Sequence, residues 1–274
     1  MEKYAVFGNP IAQSKSPQIH LAFAAQFGIK LEYQKHLVEI GAFEQAINNL
    51  KENGGKGCNV TAPFKGDAFS MANQLSERAQ LAEAVNTLTL CADGSILGDN
   101  TDGPGLVIDL ENQNAPIKGK RILLIGAGGA ARGVIKPLLQ CEPEQLVICN
   151  RTYSKAQALV EKFSIYGPIK AIEAEQLSQD GYDLVINSSS SSLTNELPPV
   201  PACIFNANTF AYDMSYKAID TTFVSWAKEQ GCVTVIDGLG MLVGQAAESF
   251  YVWHGKRPNI TPVLEELRAQ LTAN

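Results

Sequence analysis

No uninterrupted apolar stretch in this 274-residue chain reaches the roughly 18 residues needed to span a bilayer. The N-terminus has no charged segment leading into an apolar one, so no secretory signal is expected. Lysine- or arginine-rich runs are absent and the net charge of −6 is modest, which argues against a nucleic-acid partner and against a membrane surface. The six cysteines show no Cys-x-x-Cys spacing and no neighbouring histidine pairs, so no metal site is expected. Cys91, Cys149 and Cys203 lie in strand-like runs and read as small buried apolar residues, whereas Cys58 adjoins a polar motif and reads as accessible. These features suit a reduced, cytoplasmic protein. There is no internal repeat, and the only low-complexity stretch is the short serine run Ser188 to Ser192.

What the chain does carry is an apolar run that ends in glycines. Arg121-Ile122-Leu123-Leu124-Ile125 leads into Gly126-Ala127-Gly128-Gly129-Ala130-Ala131, and a helix-compatible stretch continues to Gln140. Strand, then Gly-x-Gly-x-x-Ala, then helix is the context in which this pattern signals a dinucleotide. Gly126 allows the tight turn, Gly128 lets a pyrophosphate approach the backbone, and Ala131 lets helix and strand pack closely. Free amides at the helix start then face the phosphates. The plainer alternative is a glycine-rich turn in an ordinary strand-helix unit. Leu146 to Cys149 reads as the next strand, and at its end the chain has Asn150-Arg151-Thr152-Tyr153-Ser154-Lys155. A carboxylate there would hold the ribose hydroxyls of NAD. Arg151 and Lys155 instead attract a 2′-phosphate, with Asn150 and Thr152 as hydrogen-bonding neighbours, so NADP is the expected cofactor.

Along the chain, strand and helix signals alternate, which implies parallel sheets with covering helices. Tyr4 to Phe7 and Tyr33 to Val38 read as strands, and Ser16-Pro17 reads as a helix start with Ser16 as N-cap. Phe43, Ala46, Ile47 and Leu50 mark an amphipathic helix closed by Gly54-Gly55. Asp93-Gly94 between two short strands signals a hairpin, and a helix begins near Asp102. Leu184 to Ile186, Ala202 to Phe205, Ala211 to Met214 and Val233 to Ile236 read as further strands. Met241 to Trp253 reads as a long apolar helix, and Thr261-Pro262 opens the last one.

Seven polar motifs punctuate these elements: Asn9-Pro10, Ser14-Lys15-Ser16-Pro17, Asn59 to Lys65, Ala84 to Thr87, Gly98 to Gly103, Asp237 to Leu242 and Gly244 to Ala247. In this order and spacing the set resembles the shikimate dehydrogenase family, over essentially the whole chain from Tyr4 to Leu271. The resemblance implies an α/β substrate domain, residues 1–101 completed by 238–274, with a Rossmann-like NADP domain, 102–237, inserted. It implies an NADP-dependent interconversion of 3-dehydroshikimate and shikimate in aromatic amino-acid biosynthesis, by a monomer or homodimer with substrate in a cleft.

The resemblance also implies roles. Lys65 and Asp102 match the family's catalytic pair, with Lys65 giving a proton to the ketone oxygen as hydride arrives from the nicotinamide, and Asp102 orienting it. Taken singly, the two read equally as a surface lysine and a helix N-cap. An isolated lysine, with a pKa of about 10.4, is neutral only about once in a few thousand molecules at pH 7, and a nearby carboxylate and desolvation pull that value in opposite directions. Ser14 and Ser16 match the groups that hold the substrate carboxylate. Asn59, Thr61, Asn86 and Gln245 match those that bind ring hydroxyls. Tyr216 matches a tyrosine that reaches the carboxylate, although Lys217-Ala218 follows it where many members have a proline. Ser188, Ser190, Met214, Gly238 and Met241 match the nicotinamide-side wall; a serine at 189 replaces a common threonine. Glu77 occupies a family-like position with no clear role, and His20 and His254 read as packing or surface residues. Two other readings share these features: a quinate/shikimate dehydrogenase of wider range, against which Arg151 argues, and a non-catalytic binder, against which the Lys65–Asp102 pair argues.

Overall fold

The computed structural model describes residues 1–177 and 181–273. In chain order the first elements are β1 (Glu2–Gly8), α1 (Ser16–Gln26), β2 (Leu31–Leu37), α2 (Phe43–Glu52), β3 (Gly55–Val60), α3 (Lys65–Met71), β4 (Gln74–Leu75), α4 (Glu77–Ala82), β5 (Thr87–Leu90), β6 (Ile96–Asp99) and α5 (Asp102–Asn112). Next come β7 (Arg121–Ile125), α6 (Gly129–Gln140), β8 (Gln145–Cys149), α7 (Tyr153–Phe163), β9 (Ile169–Ile172), β10 (Leu184–Asn187), β11 (Phe210–Asp213), α8 (Thr222–Glu229) and β12 (Thr234–Ile236). Two helices close the chain: α9 (Leu239–His254) and α10 (Thr261–Thr272). Among the described residues no helix is long and apolar enough to cross a membrane.

By contact the chain divides into two units, Met1–Gly105 with Val243–Glu266, and Leu106–Leu242 with Leu267–Asn274. These edges fall inside α5, α9 and α10. The reason is local. Asp109, in the latter part of α5, accepts a hydrogen bond from Tyr212 of β11, and Arg268 of α10 donates to Asp237 just after β12.

The first unit holds a six-stranded sheet in the order β2-β1-β3-β5-β6-β4. It is mixed, not parallel as the alternation suggested. β1 pairs in parallel with β2 and β3, but β5 runs antiparallel to β3 and to β6. The hairpin forces this: Gly94, at φ +90°, turns the chain straight back within four residues, so its two strands must oppose each other. One face packs Phe7, Phe43, Ile47, Val60, Phe64 and Leu88, all nearly free of solvent, at about 1.5–3 kcal/mol for each large side chain buried. Gly57 of β3 leaves room for Trp253 of α9; a Cβ there would stand 2.6 Å from the indole nitrogen, which donates to the Leu88 carbonyl.

The second unit holds a fully parallel sheet in the order β12-β11-β10-β7-β8-β9. Renumbered from β7, this is 3-2-1-4-5-6, the Rossmann arrangement, and the strand order reverses between β7 and β10. Three local readings change. Ala202–Ile204 forms a single 3-10 turn, not a strand, because Pro198, Pro199 and Pro201 beside it lack the N–H a ladder needs. Ser16 is already the first residue of α1, with Lys15 in the cap position. Helices α3 and α4, too short for a periodic pattern, went unread; Ser76 caps α4 by accepting from the Ala79 amide at 3.2 Å.

Candidate active site

In the first unit, β1 and β3 run parallel, so the loops that follow them leave the same edge of the sheet. The Asn9 amide donates to the Ala62 carbonyl at 3.1 Å, joining the loop that carries Ser14 and Ser16 to the one that carries Thr61. Ser14 Oγ accepts from the Ser16 amide and donates to Ser16 Oγ at 3.2 Å, which leaves two hydroxyls side by side at the head of α1. Thr61 packs its methyl where a Cβ on Gly8 would stand, so Gly8 has to be small.

Four residues on, Lys65 opens α3. Its Nζ donates to Asp102 Oδ2 at 2.6 Å. The other Asp102 oxygen accepts from Asn86 Nδ2 at 2.8 Å, and that same nitrogen lies 3.4 Å from Gln245 Oε1. Asn86 Oδ1 accepts from the Thr101 amide at 2.9 Å, which locks the amide orientation. The sequence scatters Lys65, Asn86, Asp102 and Gln245 across three motifs and the far end of the chain; the structure links them into one hydrogen-bonded row. Lys65 and Asp102 remain partly open to solvent, at 33% and 16%, so the row has an accessible end. Gly105 makes the approach of α9 possible, since a Cβ there would stand 2.4 Å from the Gln245 amide nitrogen.

Asn59 lies behind this row. It is buried, and both ends are engaged by protein. Its Oδ1 accepts from Tyr33 at 2.6 Å and pairs with His20 Nε2 at 3.0 Å, while Nδ2 donates to Ser249 Oγ at 3.0 Å and to Thr87 Oγ1 at 3.2 Å. His20 stacks on Tyr33, and its burial pushes its pKa down to about 3, so it stays neutral and its Nε2–H serves Asn59. Thr87, Thr101 and Ser249 complete the layer through their hydroxyls. Ser249 carried only one signal in the sequence, its place one helical turn after Gln245. Cys58, expected to be accessible, is fully buried and its thiol pKa is pushed up, because its side chain faces the sheet's packed side while its neighbour Asn59 faces the polar layer. The half-buried His254 packs its ring on Phe250, with its Nδ1 3.5 Å from Glu2 Oε2.

The second unit presents a cavity of about 620 Å³ at the carboxyl ends of its strands. Gly126 to Ala130, Asn150 to Thr152, Lys155 and Ser188 to Ser191 all line it. Gly126 sits at φ +113°, and a Cβ there would meet Ser188 Oγ at 2.7 Å. Gly128, the cap of α6, faces open space and has no side chain of its own to occupy the first amides of that helix. That is the fit a dinucleotide pyrophosphate requires: free amides, a positive helix end and no Cβ in the way. Ala131, in the first turn of α6, is buried. Arg151 and Lys155 are exposed on the same cavity, with Asn150 Nδ2 bracing the turn by donating to the Thr152 carbonyl. Tyr153 and Ser154 begin α7 beside the cavity and are not among its lining residues.

The serine run is braced by a buried carboxylate that the sequence did not single out. Asp213, at the end of β11, accepts from Ser192 Oγ and Thr221 Oγ1, each at 2.6 Å, and from Asn187 Nδ2 at 3.2 Å. Ser189 is pinned to Asn187 Oδ1, so the serine run is an ordered turn. Gly238 donates to the Ser215 carbonyl and leaves no room for a Cβ, which would stand 2.2 Å from the Met214 carbonyl oxygen. Met214, Gly238 and, in the following turn of α9, Met241 thus lie in one neighbourhood. Tyr216 is half-buried after β11, and burial, then Asp237, raises its hydroxyl pKa. Glu77 is the first residue of α4.

Known proteins resemble this chain over nearly its whole length. The family model for the shikimate dehydrogenase substrate binding domain matches residues 6–88. The model for shikimate / quinate 5-dehydrogenase matches residues 109–195, and that for the shikimate 5′-dehydrogenase C-terminal domain matches residues 238–268. The chain is 55% identical over 271 residues to the shikimate dehydrogenase (NADP(+)) of Psychromonas ingrahamii, covering 99% of each chain. It is 54% identical over 271 residues to the protein of that name from Vibrio atlanticus, covering 99% of this chain and 98% of the other. A crystal structure of shikimate 5-dehydrogenase from Thermus thermophilus, in complex with NADP(H) and shikimate, matches with a TM-score of 0.87 at 30% identity, covering 99% of this chain and 100% of that one.

Proposed function

The chain belongs to the shikimate dehydrogenase family, and we propose that it catalyses the reversible, NADP-dependent reduction of 3-dehydroshikimate to shikimate, a step of aromatic amino-acid biosynthesis. The observation that carries this reading is the row Lys65–Asp102–Asn86–Gln245, an ammonium held by a carboxylate beside two amides.

NADPH, when bound, supplies the hydride. The second unit would hold it: the Gly126–Ala130 loop and the α6 amides would take the pyrophosphate and Arg151 and Lys155 the 2′-phosphate, with Ser188 and Ser190 on the same cavity and Met214, Gly238 and Met241, outside its lining, matching the family's nicotinamide-side wall. The first unit does the proton work. As the ketone carbon gains hydride, charge grows on its oxygen, and Lys65 Nζ donates a proton there. Asp102 holds that nitrogen in place at 2.6 Å and balances its charge. In the reverse direction the lysine takes the proton back. Asn86, Gln245 and Thr61 present fixed donors and acceptors to the ring hydroxyls, which matters because an unpaired buried hydroxyl is costly. Ser14 and Ser16, at the head of α1, receive the carboxylate. Asn59 acts from behind, holding Asn86 and Thr87. The six free thiols suit a reducing cytoplasm, and a monomer or homodimer is part of the same proposal, to be settled by analytical ultracentrifugation.

The test is turnover of shikimate with NADP, followed by NADPH absorbance, beside NAD and quinate. Turnover with shikimate and NADP is expected. Lys65→Ala should lower kcat about a hundredfold or more while KM changes less, since proton transfer contributes ~10²–10⁴ in rate. Near-normal turnover in that variant removes Lys65 from the mechanism, and a preference for quinate with NAD gives the substrate assignment to the broader enzyme.

A further inference from the structure

Arg78 lies in α4, and its guanidinium is engaged on every side. Nε and Nη2 donate to the two oxygens of Asp99 at 2.6 and 2.7 Å, a planar fork. Nη1 donates to Glu248 Oε1 at 2.9 Å, and the other Glu248 oxygen accepts from Arg257 at 2.8 Å. Two cations face two carboxylates, so the cluster is neutral. Asp99 also accepts from Ser76 Oγ and from the Asn100 amide.

From Asp99 the chain enters the site within three residues. Asn100 is almost fully buried; its Nδ2 donates to the Ala84 carbonyl and its Oδ1 accepts from the Asp102 amide at 3.1 Å. Asp102 then gives one oxygen to Lys65 and the other to Asn86. The same guanidinium grips α9 at Glu248, one turn beyond Gln245 and next to Ser249. A single side chain therefore ties together the start of the segment that carries Asp102 and the helix that carries Gln245. An exposed ion pair would be worth little. A forked, largely buried one fixes direction as well as distance, and lysine cannot reproduce it.

We propose that Arg78 is a positioning residue for the reaction: through its fork on Asp99 and its bond to Glu248 it sets where Asp102 and Gln245 meet the lysine and the substrate. This rests on the reading of Lys65 and Asp102 as the proton-handling couple. A misplacement of about 1 Å can cost ~10²-fold in rate, so the effect falls on kcat.

The experiment compares Arg78→Lys, Asp99→Asn and the double variant with the unchanged enzyme, each checked for native near-ultraviolet circular dichroism. Arg78→Lys keeps the charge and loses the fork. It should lower kcat about tenfold or more, leave both KM values within about threefold, and move the pH at which kcat declines. Asp99→Asn should do the same, and the double variant should be no worse than the poorer single one, because both act through one contact. A role in stability alone would lower Tm and leave kcat and its pH profile where they were. Either single variant, folded, with kcat within about twofold and an unmoved profile overturns the proposal; if only one folds, it decides. Lys65→Ala runs alongside. Its loss of turnover with Arg78→Lys and Asp99→Asn unaffected sinks the positioning role alone, whereas near-normal turnover in Lys65→Ala sinks the couple on which it rests.

Discussion

Gly240→Ala should strongly destabilise the protein. Gly240, the second residue of α9, lies directly against the buried carboxylate of Asp109, and a Cβ added there would lie 2.0 Å from Oδ1 and 2.3 Å from Oδ2. Ordinary contact begins near 3.4 Å, so the carboxylate or the helix must retreat by about 1.4 Å. Neither yields easily. Asp109 is fully buried and accepts from the equally buried Tyr212 hydroxyl at 2.5 Å, a bond that such a shift breaks. Overpacking costs about 1–3 kcal/mol, and a buried acceptor left without its donor about 1–3 kcal/mol more. The central value, about 4 kcal/mol, is a large part of a total stability of roughly 5–15 kcal/mol. At ~2–4 °C per kcal/mol for a protein of about this size, Tm should fall by roughly 8–16 °C. Circular dichroism at pH 7 without ligands measures this, with the urea midpoint as a second reading. Asp109→Ala also removes the obstructing oxygens, so the double variant should lose less than the sum of the singles. A Gly240→Ala protein that melts within about 2 °C of the unchanged one would refute the steric argument.

Three further outcomes follow from the same geometry. Arg151→Ala should weaken NADP about tenfold or more and NAD by less than about twofold, in keeping with ~1.5–3 kcal/mol for a hydrogen bond to a charged group; equal losses in fluorescence titrations would mean that Arg151 does not read the 2′-phosphate. Ser249→Ala should cost about 1–3 kcal/mol in urea unfolding, because its hydroxyl joins Asn59, Thr87 and Thr101, and an unchanged midpoint would show that layer to be redundant. Burial alone would raise the Asp99 carboxyl, but the bonds and charge of Arg78 outweigh it and hold its pKa below the ordinary value. Its stabilisation is therefore complete above the unfolded value, about 3.9, and is lost as pH falls through the folded one. The urea midpoint of the unchanged protein should drop below about pH 4 more steeply than that of Arg78→Gln; parallel curves would deny the coupling.

Much of the site could be read before any fold was known, because its signals are local. Gly126, Gly128 and Ala131 stand at fixed steps along a strand-turn-helix unit, and Arg151 and Lys155 lie just past the next strand. Asp93-Gly94 specifies its hairpin within four residues. Where a reading went astray, a neighbour elsewhere decided. Cys58 and Asn59 adjoin in a polar motif, yet the pleat sends one into the core and the other into a hydrogen-bonded layer.

The amino-acid order thus determined by itself the glycine turn ahead of α6 and the basic residues just past β8, since each depends on residues a few positions apart, whereas Lys65 and Asp102, 37 positions apart, stood out only through the family resemblance. Which of those groups touch was left to tertiary structure. Arg78 meets Asp99 across 21 positions and Glu248 across 170, and Asn86 approaches Gln245 across 159. No periodicity spans such separations. The two that reach Glu248 and Gln245 are set by the return of α9 onto the first sheet, where burial of apolar faces brings the polar edges into register.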